Sequence, residues 1–285
     1  MPDISKINGV AIANISKLNG RTLASGDEVM GITKPTAAGT AHTFLTKQSD
    51  WGRPSDGRPG LGLVPSGWQT NTTDIVYESG GIAVTADRQW TSDGGGTTPS
   101  SGTGPTAGHD SSQGIDGDGR EGALTDDYIY TEATSQFNKR MLLRTPELDL
   151  STALANDTLK LYFWFHMYGS NMGDLGVAVT DSATSAGDDT LSLHFTGDST
   201  GGATIVFWDD NSDDGSSTSS AVRISGQQQT AGHGSTSVNA HWRLGAVDLN
   251  SVAGQSSVYI WFFGKTGSQF RSDMAIDDVE VVGEQ

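Results

Sequence analysis

The stretch that decides the fold is LKLYFWFHMY, residues 159–168, which is almost entirely apolar and aromatic. Turn-forming residues bound it on both sides. A run of this length, rich in aromatic side chains and closed by turn residues, is typical of a strand that is covered on both faces. The sequence therefore predicts a central core β-strand over residues 159–168.

Further strand signals follow at regular intervals, each bounded by turn residues. They lie at 128–132, 175–180, 191–196, 204–208, 241–249, 257–263 and 274–282. The segments 257–263 and 274–282 alternate more between apolar and polar residues, so one face of each is expected to meet the core. No segment has the pattern of a long amphipathic helix. This spacing predicts an all-β fold, a two-sheet antiparallel β-sandwich.

The composition limits the classes of partner. With 17 basic and 34 acidic residues, the formal net charge is −17, and such a chain is repelled by phosphate backbones and anionic lipid surfaces. The absence of Cys excludes disulfides, thiolate metal sites and Cys nucleophiles. Neither a signal-like N-terminus nor an apolar run of roughly 18 residues is present. We therefore expect no nucleic acid partner, no membrane insertion and no standard secretion signal.

The first twenty residues contain an internal repeat. ISKING at 4–9 returns as ISKLNG at 15–20, and each copy ends in Asn-Gly, which accepts positive φ at both central positions of a tight turn. Each copy predicts a small extended segment with too few apolar residues for its own core. We expect this arm to become ordered only against a partner surface, the alternative being a disordered tail. Its anchoring side chains are the apolar residues Ile4, Ile7, Val10, Ile12, Ile15 and Leu18.

Three parts of the chain follow from these patterns. Residues 1–25 are the predicted anchoring arm, and residues 26–67 are a Gly- and Pro-rich connector without a sustained period. Residues 68–285 are the predicted sandwich. A second Gly-rich stretch, 92–122, interrupts the sandwich and is long enough to be a functional loop.

Several short motifs occur in a fixed order along the predicted sandwich. They are Gly67-Trp68-Gln69, Thr103-Gly104-Pro105, His109-Asp110, YIYTEA at 128–133, LRTPELDL at 143–150, FWFHMYG at 163–169, Met172-Gly173 and DMAIDDV at 273–279. In this order they resemble the MAM domain. The resemblance implies a jelly roll related in fold to the concanavalin-like lectins and glucanases. Animal MAM domains usually carry disulfides, so this chain resembles the cysteine-free bacterial or viral branch of the family. Its segments 111–122 and 180–237 depart from the family pattern.

Asp277 and Asp278 lie in the middle of the last predicted strand, where adjacent side chains point to opposite faces. One of them is therefore expected to face inward, where a carboxylate needs a cation or several hydrogen-bond donors. The resemblance to the MAM domain implies a structural Ca²⁺ site whose ligands are Asp277, Asp278, Asp110, His109 and Glu132. The alternative is that backbone amides of a loop satisfy the inward carboxylate.

Two strings typical of catalytic sites give no support for an enzyme. Residues 197–201, GDSTG, match the nucleophile-elbow string GxSxG, but they lie between two predicted strands rather than between a strand and a helix. The Glu-x-Asp-x-x-Glu string of the glucanase relatives does not occur. His166 lies in the apolar strand and is expected to be a hydrogen-bonded core residue. The sequence therefore predicts no catalytic residue and a non-enzymatic protein.

Tryptophan is the candidate residue for contact with carbohydrate, because aromatic faces pack against sugar CH groups. Trp164 and Trp261 lie in predicted core strands. Trp51, Trp90 and Trp208 lie beside polar Gly-, Ser- and Asp-rich segments, so they are the candidates for a glycan-stacking surface.

The N-terminal repeat resembles the short arms that begin structural proteins of marine tailed phages, in particular phages of cyanobacteria. This resemblance covers only residues 1–20. It implies a virion protein made in the host cytoplasm, with capsid or tail proteins and symmetric copies of itself as partners. We expect a non-enzymatic virion protein whose sandwich serves decoration, subunit cementing or attachment to host-surface glycans. The alternatives are a cellular carbohydrate-binding or adhesion module and a glucanase-like enzyme.

Overall fold

A computed structural model of the chain describes residues 39–52, 59–70, 86–94, 100–112, 119–156, 158–180, 223–231 and 241–285. It also describes the backbone of short strands at 6–7, 10–11, 17–18, 21–22, 28–29, 32–33, 76–79, 82–85 and 185–186. The predicted strands at 191–196 and 204–208 and the string at 197–201 lie outside the described residues.

The described residues are almost all in strands, turns and loops. In chain order the strands are β1 (Lys6–Ile7), β2 (Val10–Ala11), β3 (Lys17–Leu18), β4 (Arg21–Thr22), β5 (Glu28–Val29), β6 (Ile32–Thr33), β7 (Ala41–Gln48), β8 (Gly60–Leu61), β9 (Val76–Ser79), β10 (Ile82–Thr85), β11 (Thr91–Gly94), β12 (Asp127–Tyr130), β13 (Arg140–Arg144), β14 (Lys160–His166), β15 (Asp174–Thr180), β16 (Ser185–Ala186), β17 (Arg223–Ser225), β18 (Arg243–Asp248), β19 (Tyr259–Lys265) and β20 (Ala275–Glu284). One 3₁₀ helix, Asn250–Val252, follows β18. No helix in the described part of the chain is long and apolar enough to cross a membrane.

Two antiparallel sheets form a sandwich, which confirms the predicted fold class. Within the described residues the larger sheet has seven strands, in the order β18-β14-β20-β12-β11-β8, with β7 beside β20. The smaller sheet has the order β13-β19-β15-β17. The short strands β9, β10 and β16 form a separate sheet.

The strand over LKLYFWFHMY is buried on both faces, as predicted. In β14, Phe163 packs edge to face on Phe262 of the smaller sheet, with 5.0 Å between ring centroids. Trp164 points to the opposite face of β14, into a second cluster that contains Tyr128, Tyr130, Trp242 and Ala275. Because β14 lies between β18 and β20 and both of its faces are covered, an uninterrupted apolar run is the pattern that this position requires.

The sandwich begins earlier in the chain than the sequence predicted. Strand β7 pairs with β20 along much of its length, from Gln48 beside Val279 to Ala41 beside Glu284. Trp51 follows β7 and is fully buried in the core. The predicted boundary at residue 68 is therefore wrong, because part of the connector is a strand of the larger sheet. Its sequence, AHTFLTKQ, is only half-buried, so it lacks the apolar run that marks a core strand.

The residues before 39 join the sandwich at one end of the larger sheet. There Ala41 pairs with Glu284, and Thr40 and Gln285 exchange backbone hydrogen bonds of 3.0 Å in both directions. We call this the arm end.

The opposite end of the larger sheet is where β20 begins, and we call it the far end. Ala275 pairs there with Tyr130, the last residue of β12. The loops 131–139 and 266–274 lead from this end into β13 and β20. Strand β20 runs from the far end to the arm end, so ten residues at about 3.3 Å each place the two ends about 30 Å apart.

The segment predicted as an arm, 1–25, contains two hairpins, and the predicted connector begins with a third, which we include in the arm from here on. Strands β1 and β2, β3 and β4, and β5 and β6 form three separate two-stranded antiparallel sheets. Lys6, Lys17 and Glu28 begin the first strand of each hairpin, so the hairpins recur every 11 residues. The first two hairpins contain the repeat at 4–9 and 15–20, while the third has Met30-Gly31 in place of Asn-Gly. Of the predicted anchoring residues, Ile7, Val10 and Leu18 lie in these strands, and Ile4, Ile12 and Ile15 lie outside the described residues.

Candidate functional site

The Asp277–Asp278 pair lies at a break in strand pairing near the middle of the larger sheet. One edge of β20 pairs with β12 up to Ile276 and with β7 from Val279 onward. Between these pairings β20 carries one residue more than the facing part of β14, which is a β-bulge. Asp278 lies in this bulge, and Asp277, which pairs with Trp164, borders it.

The bulge buries both carboxylates, where strict alternation predicts only one inward side chain. Asp278 has a φ of 47°, in the left-handed region that few residues other than Gly, Asn and Asp adopt. A bulge of this kind redirects a side chain out of the alternation of the strand. Asp277 and Asp278 are consequently only 1% and 2% exposed.

Three N–H groups donate to the Asp277 carboxylate. The indole N–H of Trp51 donates to Oδ1 at 3.0 Å, and the backbone N–H of Asp278 donates to the same oxygen at 2.8 Å. The backbone N–H of His109 donates to Oδ2 at 2.9 Å. Protein donors therefore satisfy both oxygens, which was the alternative to a cation.

Asp278 binds an enclosed histidine. Its Oδ2 lies 2.8 Å from His109 Nδ1 and 3.7 Å from Lys47 Nζ. The His109 ring is stacked on Trp164, with 4.1 Å between ring centroids and 13° between planes. These contacts join β7, the loop at residue 109, β14 and β20 at one point.

Burial raises the pKa of Asp277 above its ordinary value, and the neighbouring Asp278 carboxylate raises it further. The three donors act in the opposite direction, because they stabilise the ionised form. A carboxyl group enclosed on all sides in this way contributes to the fold and offers no surface to a substrate.

The predicted five-residue cation site is not assembled among the described residues. Asp110 accepts hydrogen bonds from the backbone and hydroxyl of Ser112 and lies 3.3 Å from Arg120 Nε. Glu132 has its own donors, which are Ser100, Tyr130 and Thr134. No three His, Cys, Asp or Glu side chains in the described ranges are grouped so that they could hold a metal ion. Asp277, Asp278 and His109 lie together in the core, while Asp110 and Glu132 are held by hydrogen bonds of their own loops.

Trp51 and Trp90 are core residues, so the prediction that they form a glycan-stacking surface is wrong. Both are 0% exposed, and Trp51 packs edge to face on Trp68 with 4.9 Å between ring centroids. Polar neighbours in the sequence did not mean exposure, because the large apolar rings gain more by burial than by exposure. Trp164 and Trp261 are buried as predicted. Trp208 lies outside the described residues.

His166 is a core histidine, as predicted. It is fully buried, and its ring packs edge to face on Trp242 with 5.6 Å between centroids.

An open groove of about 250 Å³ lies at the far end, at the β8 edge of the larger sheet. Its apolar lining includes Pro59, Leu61 and Met141. Its polar lining includes Arg88, Gln89, Glu132, Thr134 and Gln136. These residues come from separate segments of the chain, so no sequence motif predicts the groove. Glu132 was noticed in the sequence, but as a metal ligand.

Hydrogen bonds fix the polar side chains of the groove. Arg88 Nε donates to Gln136 Oε1 at 2.6 Å. The carboxylate of Glu132 accepts from the backbone N–H of Thr134 at 2.7 Å and from the Tyr130 hydroxyl at 3.3 Å. Burial raises the pKa of Tyr130, so its hydroxyl keeps the proton that it donates.

Exposed apolar side chains concentrate at the same end. Five large apolar side chains are exposed in the described part of the chain. Four of them belong to segments at the far end, namely Leu61, Leu63, Phe137 and Phe270. Of these, Leu61 lines the groove. Several exposed apolar residues at one end of a domain are typical of a surface that contacts another molecule.

Comparisons with known proteins give no family for the chain. No family model matches it, and no curated protein matches it. Among solved structures, it is similar to the K1 cleaved adhesin domain of Lys-gingipain from Porphyromonas gingivalis W83, with 16% identity over 85% of this chain and 96% of that chain and a TM-score of 0.37. It is also similar to a cyclase from Fischerella sp. TAU, with 12% identity over 86% of this chain and 98% of that chain and a TM-score of 0.40. Likeness at this level carries no conclusion about what this chain does.

Proposed function

We propose that this chain is a non-enzymatic structural protein of a phage particle, held by its N-terminal arm and presenting a MAM-like sandwich for attachment to host-surface glycans. The observation that carries the proposal is that two features lie at opposite ends of the larger sheet. The arm joins the sandwich at the arm end, while the groove and the exposed apolar residues lie at the far end, about 30 Å away along β20. A module anchored at the arm end therefore points its groove away from the particle.

The arm supports anchoring because its hairpins are too small to be stable alone. Each strand of the three hairpins has two residues, and an isolated two-stranded hairpin is marginal even when its strands are longer. Within the described residues, none of these strands pairs with a strand of the sandwich. Short hairpins of this kind need a partner surface, and a symmetric particle offers such a surface in many copies.

The arrangement of carboxylates supports a non-enzymatic role. Glu132 is the one carboxylate among the described residues that line the groove. Glycoside hydrolysis generally requires two carboxyl groups that flank the scissile bond, about 5 to 9.5 Å apart. The other prominent pair, Asp277 and Asp278, is enclosed in the sandwich. The groove is therefore suited to binding rather than to turnover.

Deletion of residues 1–38 tests the anchoring part of the proposal. We choose residue 38 because the third hairpin ends at Thr33 and the sandwich sheet begins at Ala41. The shortened chain should melt at the temperature of the full chain, because β7 is retained. Mass spectrometry of purified phage particles should find the full chain and not the shortened chain. Equal amounts of both chains on the particles would overturn the anchoring role.

An assay on β-glucans tests the non-enzymatic part. We expect no release of reducing sugar by the full chain. Turnover by the full chain that is lost in Glu132→Gln but kept in Glu147→Gln would instead establish a glucanase. Glu147 is a matched control because it is exposed and does not line the groove.

A further inference from the structure

The groove at the far end is shaped for a small ligand or for one unit of a larger one. Its volume of about 250 Å³ lies below the range of roughly 300–1,000 Å³ that holds drug-sized ligands. Leu61 at its edge is 55% exposed, while Met141 in its lining is buried. The groove therefore offers an apolar surface that is open on one side.

The loop that carries two of its polar groups is held in place before any ligand arrives. Gln136 donates its backbone N–H to the Ala133 carbonyl at 2.9 Å. Its own carbonyl accepts the Thr266 hydroxyl at 2.5 Å. Both the backbone N–H and the carbonyl of Gln136 are therefore hydrogen-bonded. A ligand that binds here loses little affinity to ordering of the loop.

Gln89 is positioned by a glycine. Gly62 has a φ of 71°, and a Cβ at this position would lie 2.7 Å from the Gln89 amide. The close approach keeps this amide against the backbone of residue 62. The groove thus has an amide at Gln89, a guanidinium–amide pair at Arg88 and Gln136, and a carboxylate at Glu132.

These groups match the chemistry of hydroxyls. A hydroxyl both donates and accepts hydrogen bonds, so one ligand rich in hydroxyls can donate to Glu132 and accept from the Arg88 guanidinium. The charges of Arg88 and Glu132 oppose each other, so the groove as a whole favours a neutral ligand. An anionic ligand would meet Glu132 and the net charge of −17 of the chain. The aromatic ring in the lining, Tyr130, is 0% exposed, so no face is offered there to a flat aromatic ligand.

We propose that this groove binds one neutral hexose unit of a glycan, with Arg88, Gln136 and Glu132 as its hydrogen-bonding residues and Leu61 beside the CH face of the sugar. This inference rests on the proposed attachment function, and it names the ligand class and the residues. In this proposal the sugar is bound by hydrogen bonds and by contact with Leu61, and not by stacking on tryptophan.

The test uses the full chain and a panel of methyl hexosides: methyl α-glucoside, methyl β-galactoside and methyl α-mannoside, with glucuronic acid as an anionic probe. Saturation-transfer NMR and titration should detect millimolar binding of at least one methyl hexoside and weaker binding of glucuronic acid. Glu132→Gln and Gln136→Ala should each weaken the binding about tenfold, as expected when one hydrogen bond to a charged or amide group is lost. Glu147→Gln removes the same charge outside the groove and should leave the affinity unchanged.

The outcomes separate this inference from the proposed function. Groove variants should still be found on phage particles, because the arm is intact. If no methyl hexoside binds, or if glucuronic acid binds more tightly than all of them, the ligand class is wrong even though the arm anchors the chain. If hexose binding is unchanged in both groove variants, the site is wrong. If Glu132→Gln unfolds the chain, Gln136→Ala and Arg88→Gln carry the same comparison.

Discussion

Trp51 donates its indole N–H to Asp277 Oδ1 at 3.0 Å, and this buried bond joins residues 226 positions apart in the sequence. Trp51 follows the first strand of the sandwich, and Asp277 lies in the last. The bond closes the larger sheet across the gap between β12 and β7, where no backbone pairing is present along that edge of β20.

Trp51→Phe should destabilise the sandwich more than a Trp-to-Phe change that removes the same ring area but no hydrogen bond. It leaves a buried carboxyl oxygen with one donor fewer, and the loss of a hydrogen bond costs about 0.5–1.5 kcal/mol. Trp68→Phe is the matched control, because Trp68 is the other ring of the same edge-to-face pair. We expect the urea midpoint, followed by far-ultraviolet circular dichroism, to fall further for Trp51→Phe. Equal midpoints would mean that the hydrogen bond adds nothing to ring packing.

The conformation of Asp278 predicts an inverted preference between Ala and Gly. At a φ of 47°, a residue with a Cβ is disfavoured by about 1–2 kcal/mol relative to Gly. Asp278→Gly and Asp278→Ala both lose the contact with His109, so their difference reports the backbone alone. We expect the Gly variant to be the more stable of the two.

Glu280 supplies the control for this comparison, since it lies in the same strand and its φ is not positive. There Ala should be more stable than Gly by about 0.5–1 kcal/mol, the usual cost of Gly within a strand. The measurement is the free energy of unfolding of the Gly and Ala variants at both positions, compared as the Gly-minus-Ala difference at each position. The same sign at both positions would contradict the left-handed conformation of residue 278.

Strand periodicity predicts those parts of the fold that are governed by local burial. β14, β19 and β20 were predicted because their side chains meet the core in apolar or alternating runs. β7 was not predicted, because AHTFLTKQ is half-buried and is held by pairing with a strand more than 200 residues later. Pairing partners at such a distance leave no periodic signal in a single sequence.

The candidate site was predictable in part. The Asp277–Asp278 pair stands out because carboxylates are rare inside strands, and its neighbour His109 followed from the family resemblance. The donors that satisfy Asp277 are an indole and two backbone amides, and neither the amides nor the left-handed φ of Asp278 can be read from residue type. The groove was missed for the same reason, since separate segments meet there only in the folded chain.

The raised pKa of Asp277 predicts how its contribution to stability changes with pH. Burial, and after it the charge of Asp278, raises the pKa in the folded state above the ordinary value of 3.8. The folded state therefore binds this proton more tightly than the unfolded state does. The resulting stabilisation is full below the unfolded pKa and is lost as the pH rises through the folded pKa.

Asp277→Asn removes this titration. We expect the free energy of unfolding of the wild-type chain, minus that of the variant, to fall as the pH is raised from about 4 to about 8. Asp110→Asn is the control, because the hydroxyl of Ser112 lowers the pKa of Asp110 below its ordinary value of 3.8. Its contribution should grow as the pH rises towards about 4 and stay nearly constant from about 4 to about 8. A difference for Asp277 that is flat or rises with pH would show that its folded pKa is not raised.

Calcium binding remains a prediction, and the geometry favours the alternative to it. Both oxygens of Asp277 already accept N–H donors, and no group of ligands suited to a metal ion occurs in the described part of the chain. We therefore expect the melting temperature in EDTA to equal that in millimolar CaCl₂, because only a ligand that binds the folded state stabilises it. MgCl₂ at the same concentration controls for ionic strength. A rise of several degrees that is specific to calcium would establish a cation site, and its persistence in Asp277→Asn would place that site away from the bulge.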